Sequence, residues 1–233
     1  MNTQSQKICA FLGVLTPLIM FCGFIAAGFF PPLEPSLDVN SVNAYFMDNK
    51  MRVLLGSGIM QLAGGGMIVF TAVIAAQLRR IEHRKTPVLT YIQLGAGFVT
   101  AIPFIIGALI WITAAFRPDR PPELVLLMSD LGWIVFLGFW FPTPVQNIAI
   151  GAVILSDKKQ KPNFPRWVGY FCFWESLVFP AAMIMPFFVT GPFAWNGLFP
   201  FWLPAIAFGS WFLVMYIFLL KSIKQQEIEE TVT

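Results

Sequence analysis

Glu175 is the residue on which chemistry could most readily turn. It lies in an apolar run, Trp167–Thr190, nine residues and about 13 Å of helical rise beyond a basic stretch. At that depth in a bilayer an ionised carboxylate costs about 2.5–3.5 kcal/mol even on insertion scales. Such a group must face the interior of a helix bundle and find donors there, or keep its proton. Similar arithmetic puts Gln146 and Asn147 of the run Leu124–Ser156, and Gln61 of Val53–Gln77, near one level. If these faces converge, they form a mid-membrane site for a substrate, an ion or a proton. The alternative is a hydrogen-bond knot that fastens three helices.

A second signal lies beside the first. The segment Phe139-Trp-Phe-Pro-Thr-Pro144 directly precedes Gln146-Asn147. Each proline removes a backbone donor and frees a carbonyl. Membrane helices tolerate that where protein or a water-filled cavity satisfies the backbone. The segment therefore predicts a broken helix and a pocket walled by Trp140 and Trp174. Asp130, in the same run, is expected at or outside the outer edge of the hydrocarbon. There it can pair with Arg117 or Arg120, line a vestibule or meet water.

Other chemistries find no footing. The chain has one histidine, His83, in a basic loop, so neither a bis-histidine haem nor a histidine-box di-iron site can be assembled. The three cysteines, Cys9, Cys22 and Cys172, have no CxxC spacing. There is no HExxH, GxSxG or Walker loop, and no lysine inside an apolar run for a Schiff base. No metal and no cofactor is called for. A net charge of +3 gives no argument for nucleic acid.

The elements that must position Glu175 follow from composition. Of 233 residues 57% are hydrophobic and 12% charged, too few charges to clothe a soluble domain. Six apolar runs, about 8–30, 53–77, 87–116, 124–156, 167–190 and 198–220, are each long enough to cross about 30 Å of hydrocarbon. The reading is an all-α polytopic membrane protein, a six-helix bundle forming a single transmembrane domain over 1–233. Pro31-Pro32 should end the first helix, 33–51 should be a polar loop, and the acidic tail of Glu227, Glu229 and Glu230 should fray. The glycines Gly56, Gly58 and Gly64–Gly66 predict close helix packing.

Orientation follows from the cations. Lys7, Arg79, Arg80, Arg84, Lys85, Lys158, Lys159, Lys161, Arg166, Lys221 and Lys224 fall on one side of the six-crossing plot; Lys50, Arg52, Arg117 and Arg120 fall on the other. Eleven against four, in short loops, puts the basic side and both termini in the cytoplasm. The uncharged connection Thr190–Gly197, with Trp195, suits an outer interface.

The segments Asn163-Phe-Pro-Arg-Trp-Val-Gly-Tyr170 and Gly191-Pro-Phe-Ala-Trp-Asn-Gly197, with Pro31-Pro32, resemble those of uncharacterised bacterial multi-helix inner-membrane proteins. The resemblance implies a bacterial cytoplasmic membrane and no particular activity. The leading functional expectation is a transporter, channel-like protein or binder for a small apolar or amphipathic molecule or an ion. The second is an accessory subunit of a larger membrane complex, which Phe-rich faces and the lack of soluble domains would suit. The third is a membrane enzyme using Glu175 as general acid or base; with no second catalytic group in view, a non-enzymatic role is favoured. Expected partners are membrane lipids, a small hydrophobic ligand or ion, and other membrane proteins or further copies of the chain.

Overall fold

The computed structural model describes residues 3–83 and 86–232; Arg84 and Lys85, counted above toward the basic side, lie outside the described residues. The described chain is helical with no strand, and six helical stretches are long and apolar enough to cross a membrane: Thr3–Ala27, Lys50–Arg79, Val88–Phe116, Pro122–Ser156, Arg166–Phe187 and Leu198–Thr231. The chain is thus an all-helical polytopic membrane protein. Large apolar side chains such as Leu18, Leu62, Leu177 and Ile206 point outward and are more than half exposed, as lipid contact requires.

Prolines decide where the crossings bend. The first divides at Leu15, just before Pro17, into α1 (Thr3–Val14) and α2 (Thr16–Ala27). It ends earlier than expected: Gly28, at φ 76°, donates its N–H to the Ile25 carbonyl, so a left-handed cap stops the helix before Pro31-Pro32. The loop that follows is not wholly irregular. It holds α3 (Val39–Asp48), whose first turn is capped by the Asp38 carboxylate accepting from Asn40 N at 2.9 Å and Ser41 N at 3.2 Å. Hydrogen bonding from the Ser41 hydroxyl and these backbone amides holds the Asp38 carboxyl below its ordinary 3.8.

Helix α4 (Lys50–Arg79) is unbroken and packs along both α1 and α2. Its glycines divide by face. A Cβ on Gly56 would collide with Ala27 N, and one on Gly66 with Thr16 Oγ1, whereas Gly58 and Gly65 have nothing within 4 Å. A Cβ on Gly64 would likewise stand 2.7 Å from Ile105 Cγ1, so Gly56, Gly64 and Gly66 serve close packing and Gly58 and Gly65 do not. The third crossing divides at Ala101, before Pro103, into α5 (Val88–Thr100) and α6 (Ile102–Phe116). The fourth breaks over residues 139–141, between α7 (Pro122–Gly138) and α8 (Pro142–Ser156). Within this hairpin α6 pairs with α7 and α5 with α8, while the unbroken α4 packs along both α5 and α6.

Helix α9 (Arg166–Val178) tightens at Pro180 and Pro186 into two 3₁₀ turns ending at Phe187. The last crossing opens with a π turn, Leu198–Trp202, and continues as α10 (Leu203–Val232). The acidic tail does not fray. It extends α10 and is tied down, with Lys7 Nζ 2.7 Å from Glu227 Oε1 and Arg80 Nη2 2.6 Å from Glu229 Oε2. These contacts, with Gln225 Nε2 donating to the Lys161 carbonyl, bring both ends of the chain and its main basic segments to one end of the bundle. Near the opposite end lies an aromatic core: Trp111 and Trp133 are 4.8 Å apart by ring centroid, and both pack on Phe24 and Phe29.

Candidate functional site

Glu175 is fully buried on α9. Counting helical rise, it is about 13 Å from Arg166 along its own helix. Its hydrogen-bond neighbour Ser210 is about 16 Å from Lys221 along α10. Both counts put it well inside the bundle, away from the basic end. Ser210 Oγ lies 3.2 Å from Glu175 Oε1 and 2.9 Å from the Ala207 carbonyl. The hydroxyl has one proton to give. When it goes to Ala207, only a protonated Glu175 can complete the other pair, donating to Ser210 Oγ. The second carboxyl oxygen, Oε2, is buried and has no partner at all.

The structure brings Gln146 and Asn147 to the same place. Both are buried on α8, and with Glu175 they border a pocket of only about 10 Å³, whose other walls are Met67, Thr100, Thr143, Phe179, Phe208 and Trp211. Glu175 is the only ionisable side chain of that lining. The Cys172 thiol, one turn earlier on α9, is also buried. Asn147 Oδ1, like Glu175 Oε2, lacks a partner. Gln146 is held from behind: its Nε2 donates to Thr71 Oγ1 at 2.6 Å, and Gln93 Nε2 reaches the same oxygen at 3.2 Å. Thr71 of α4 thus ties α5 to α8 beside the pocket.

Four of the pocket's residues, Thr100, Thr143, Phe179 and Phe208, also wall a second cavity of about 110 Å³. Its remaining lining is almost wholly apolar, with Phe24, Phe104, Phe136, Trp140 and Phe201 prominent. It sits where the proline-bent helices meet. Pro103, Pro200 and Pro204 line it directly, and Phe139 and Trp140 belong to the break before Pro142. Helices that bend away from one another at a common level leave unfilled volume, here a half-open apolar cavity approaching the roughly 150 Å³ that holds a benzene ring in a sealed core. The two cavities together are an apolar chamber with one polar corner.

The other predicted residues lie elsewhere. Gln61 is half-buried on α4, six residues and about 9 Å before Met67, the residue that helix gives to the pocket. Its side chain joins neither cavity lining. Trp174 neighbours Glu175 in sequence yet is 52% exposed on the outward side of α9, stacked on Phe171 at 6.1 Å. Trp140 lines the chamber but not the polar pocket. Asp130 is half-buried on α7 and lines neither cavity; among the described residues it forms no ion pair with Arg117 or Arg120.

Conversely, Thr71, Gln93, Ser210 and Trp211 were not singled out from sequence. Their only signal is a polar or amphipathic side chain inside an apolar run. That gives depth along a helix without giving the face it is on. No protein-family profile matches the chain, and comparison with curated proteins and with solved structures finds no relative, so the chemistry of these residues alone carries the functional argument.

Proposed function

We propose that this membrane protein binds, and carries across the bilayer, a small amphipathic molecule whose apolar body fills the chamber and whose donor-bearing head meets Glu175. The single observation that supports this reading is Glu175 Oε2, fully buried, without a hydrogen-bond partner, at the polar corner of an apolar cavity. A buried acceptor without a donor costs about 1–3 kcal/mol, more when charged. A donor on a bound molecule relieves that cost. A cationic head does so best when the carboxyl is ionised, so the cation and the proton oppose one another at one group, which is the elementary requirement of proton-linked binding. With the basic end in the cytoplasm, as the lysine and arginine bias favours, the chamber lies toward the outer half of the bilayer.

Benzylamine and toluene test the proposal, since they share a ring and differ in the donor head. Binding is followed through tryptophan fluorescence in detergent or nanodiscs. The purified protein should bind benzylamine at least about tenfold more tightly than toluene, the margin of one charge-assisted hydrogen bond. Benzylamine binding should depend on pH. In Glu175→Gln both the preference and the pH dependence should vanish while toluene binding persists. Equal binding of the two probes by the unaltered protein would remove Glu175 from recognition.

A further inference from the structure

We infer that the basic end of the bundle carries a built site for the phosphate of an anionic phospholipid headgroup. An open groove of about 680 Å³ runs between the α8–α9 connection and the last turns of α10. Four lysines line it, Lys159 and Lys161 from the connection and Lys221 and Lys224 from the helix. The two walls are some sixty residues apart in sequence, so their convergence is a product of the fold rather than of one basic run.

The wall carrying Lys159 and Lys161 is pre-organised. Asp157, itself buried, accepts from Lys159 N at 3.1 Å and from Asn163 N at 2.9 Å, which closes the connection into a fixed turn. Gln225 Nε2 then donates to the Lys161 carbonyl at 3.1 Å and staples that turn to α10. One acid, Glu229, lies in the groove, and it is already engaged: Oε2 with Arg80 Nη2 at 2.6 Å and Oε1 with Gln225 Nε2 at 3.0 Å. Among the described residues none of the four lysines has an ion-pair partner, so the groove keeps a cationic excess.

Its surroundings select a lipid over a soluble phosphate. Lys221 Nζ lies 4.7 Å from the Phe218 ring centroid, and Phe218 packs against half-exposed Trp167 at 5.2 Å. Trp and Phe beside lysine mark the boundary between hydrocarbon and water. The groove therefore opens at headgroup level, with an apolar wall beneath it for acyl chains. Lysine near such a surface gives about a fivefold gain in anionic-lipid affinity apiece.

Native mass spectrometry of the full chain in detergent, titrated with phosphatidylglycerol, phosphatidylcholine or free glycerol 3-phosphate, tests this. Phosphatidylglycerol should bind saturably, and the other two should not. The double variant Lys161→Gln/Lys224→Gln, one lysine from each wall, should bind it about 30-fold more weakly. Both side chains are exposed, and Gln225 bonds the Lys161 backbone, so folding is not at stake. Arg117→Gln/Arg120→Gln, with the same charge change at the opposite end, should bind as the unaltered protein does. Equal losses in the two double variants would reduce the effect to diffuse charge and overturn the site. Unchanged binding in the lysine variant would also overturn it, and glycerol 3-phosphate binding as well as the lipid would assign the groove to a soluble phosphate instead.

Discussion

Two buried polar clusters, one at the basic end of the bundle and one around Glu175, are built from the same kinds of side chain and differ in how far they satisfy one another. At the basic end Gln77 Nε2 donates to Gln6 Oε1 at 2.5 Å and to Gln226 Oε1 at 2.8 Å. Its Oε1 accepts from Ser222 Oγ and from Arg80 Nη1, each at 2.7 Å. Gln226 Nε2 passes to Glu230 at 2.7 Å. Three crossings are tied by a network whose amides are used at both ends. Around Glu175 the cluster is left incomplete: Gln93 Oε1, Asn147 Oδ1 and Glu175 Oε2 are all buried without partners. A saturated cluster is fastening. An unsaturated one, bordered by empty volume, has room for another molecule's atoms.

If that contrast is right, the basic-end knot should be the costlier to break. Gln77→Leu leaves Gln6, Gln226, Ser222 and Arg80 with lost partners in a buried setting, and should cost about 3 kcal/mol or more. The loss should appear as a lowered melting temperature in detergent. Thr71→Val, nearly isosteric, removes the acceptor shared by Gln146 and Gln93 and should cost about 1–2 kcal/mol. It should also weaken benzylamine binding, because Gln146 is then free to turn into the pocket. Glu175→Gln should change stability by less than about 1 kcal/mol, since one oxygen of the acid is unpaired already. A melting temperature falling as far for Glu175→Gln as for Gln77→Leu would abolish the distinction between fastening and site.

The smallest effect belongs to Asp38→Ala, at an exposed cap outside the membrane. The Asp38 carboxyl titrates below its ordinary 3.8 in the folded chain, so its charge stabilises α3 above that value and the contribution fades as pH falls through the folded value. Hydrogen exchange of α3 amides should therefore be faster in the variant at neutral pH, and the difference should shrink in acid.

Much of this architecture is legible in the sequence, because the bilayer imposes length and apolarity on every crossing. Proline positions also announced the break before Pro142, while the one before Pro103, inside a run read as a single helix, was not foreseen. Depth was readable too: Glu175, Gln146 and Asn147 do share a pocket. What helical rise does not report is azimuth. Trp174 is at the right depth but on the outward side of α9, whereas Gln61 misses in depth as well, about 9 Å along α4 from the pocket's level. Thr71 and Ser210, modest in type, supply the contacts that orient its larger members. The tail was misjudged for a related reason. Its glutamates look like a solvated end until Lys7 and Arg80, from distant parts of the chain, are placed beside them. The Gly28 stop, ahead of the more conspicuous double proline, depended on a left-handed backbone that one glycine among many does not advertise.

The paired interruptions at Ala101 and at residues 139–141 have a mechanical corollary. Because α6 pairs with α7 and α5 with α8, the hairpin is two short stacked layers joined by segments where the regular ladder is relaxed, with α4 packed along both α5 and α6. Flexing at such a joint sacrifices few backbone hydrogen bonds. The unbroken α4 splints that joint from one side, which leaves the two bends to shape the chamber while one continuous rod keeps the layers in line.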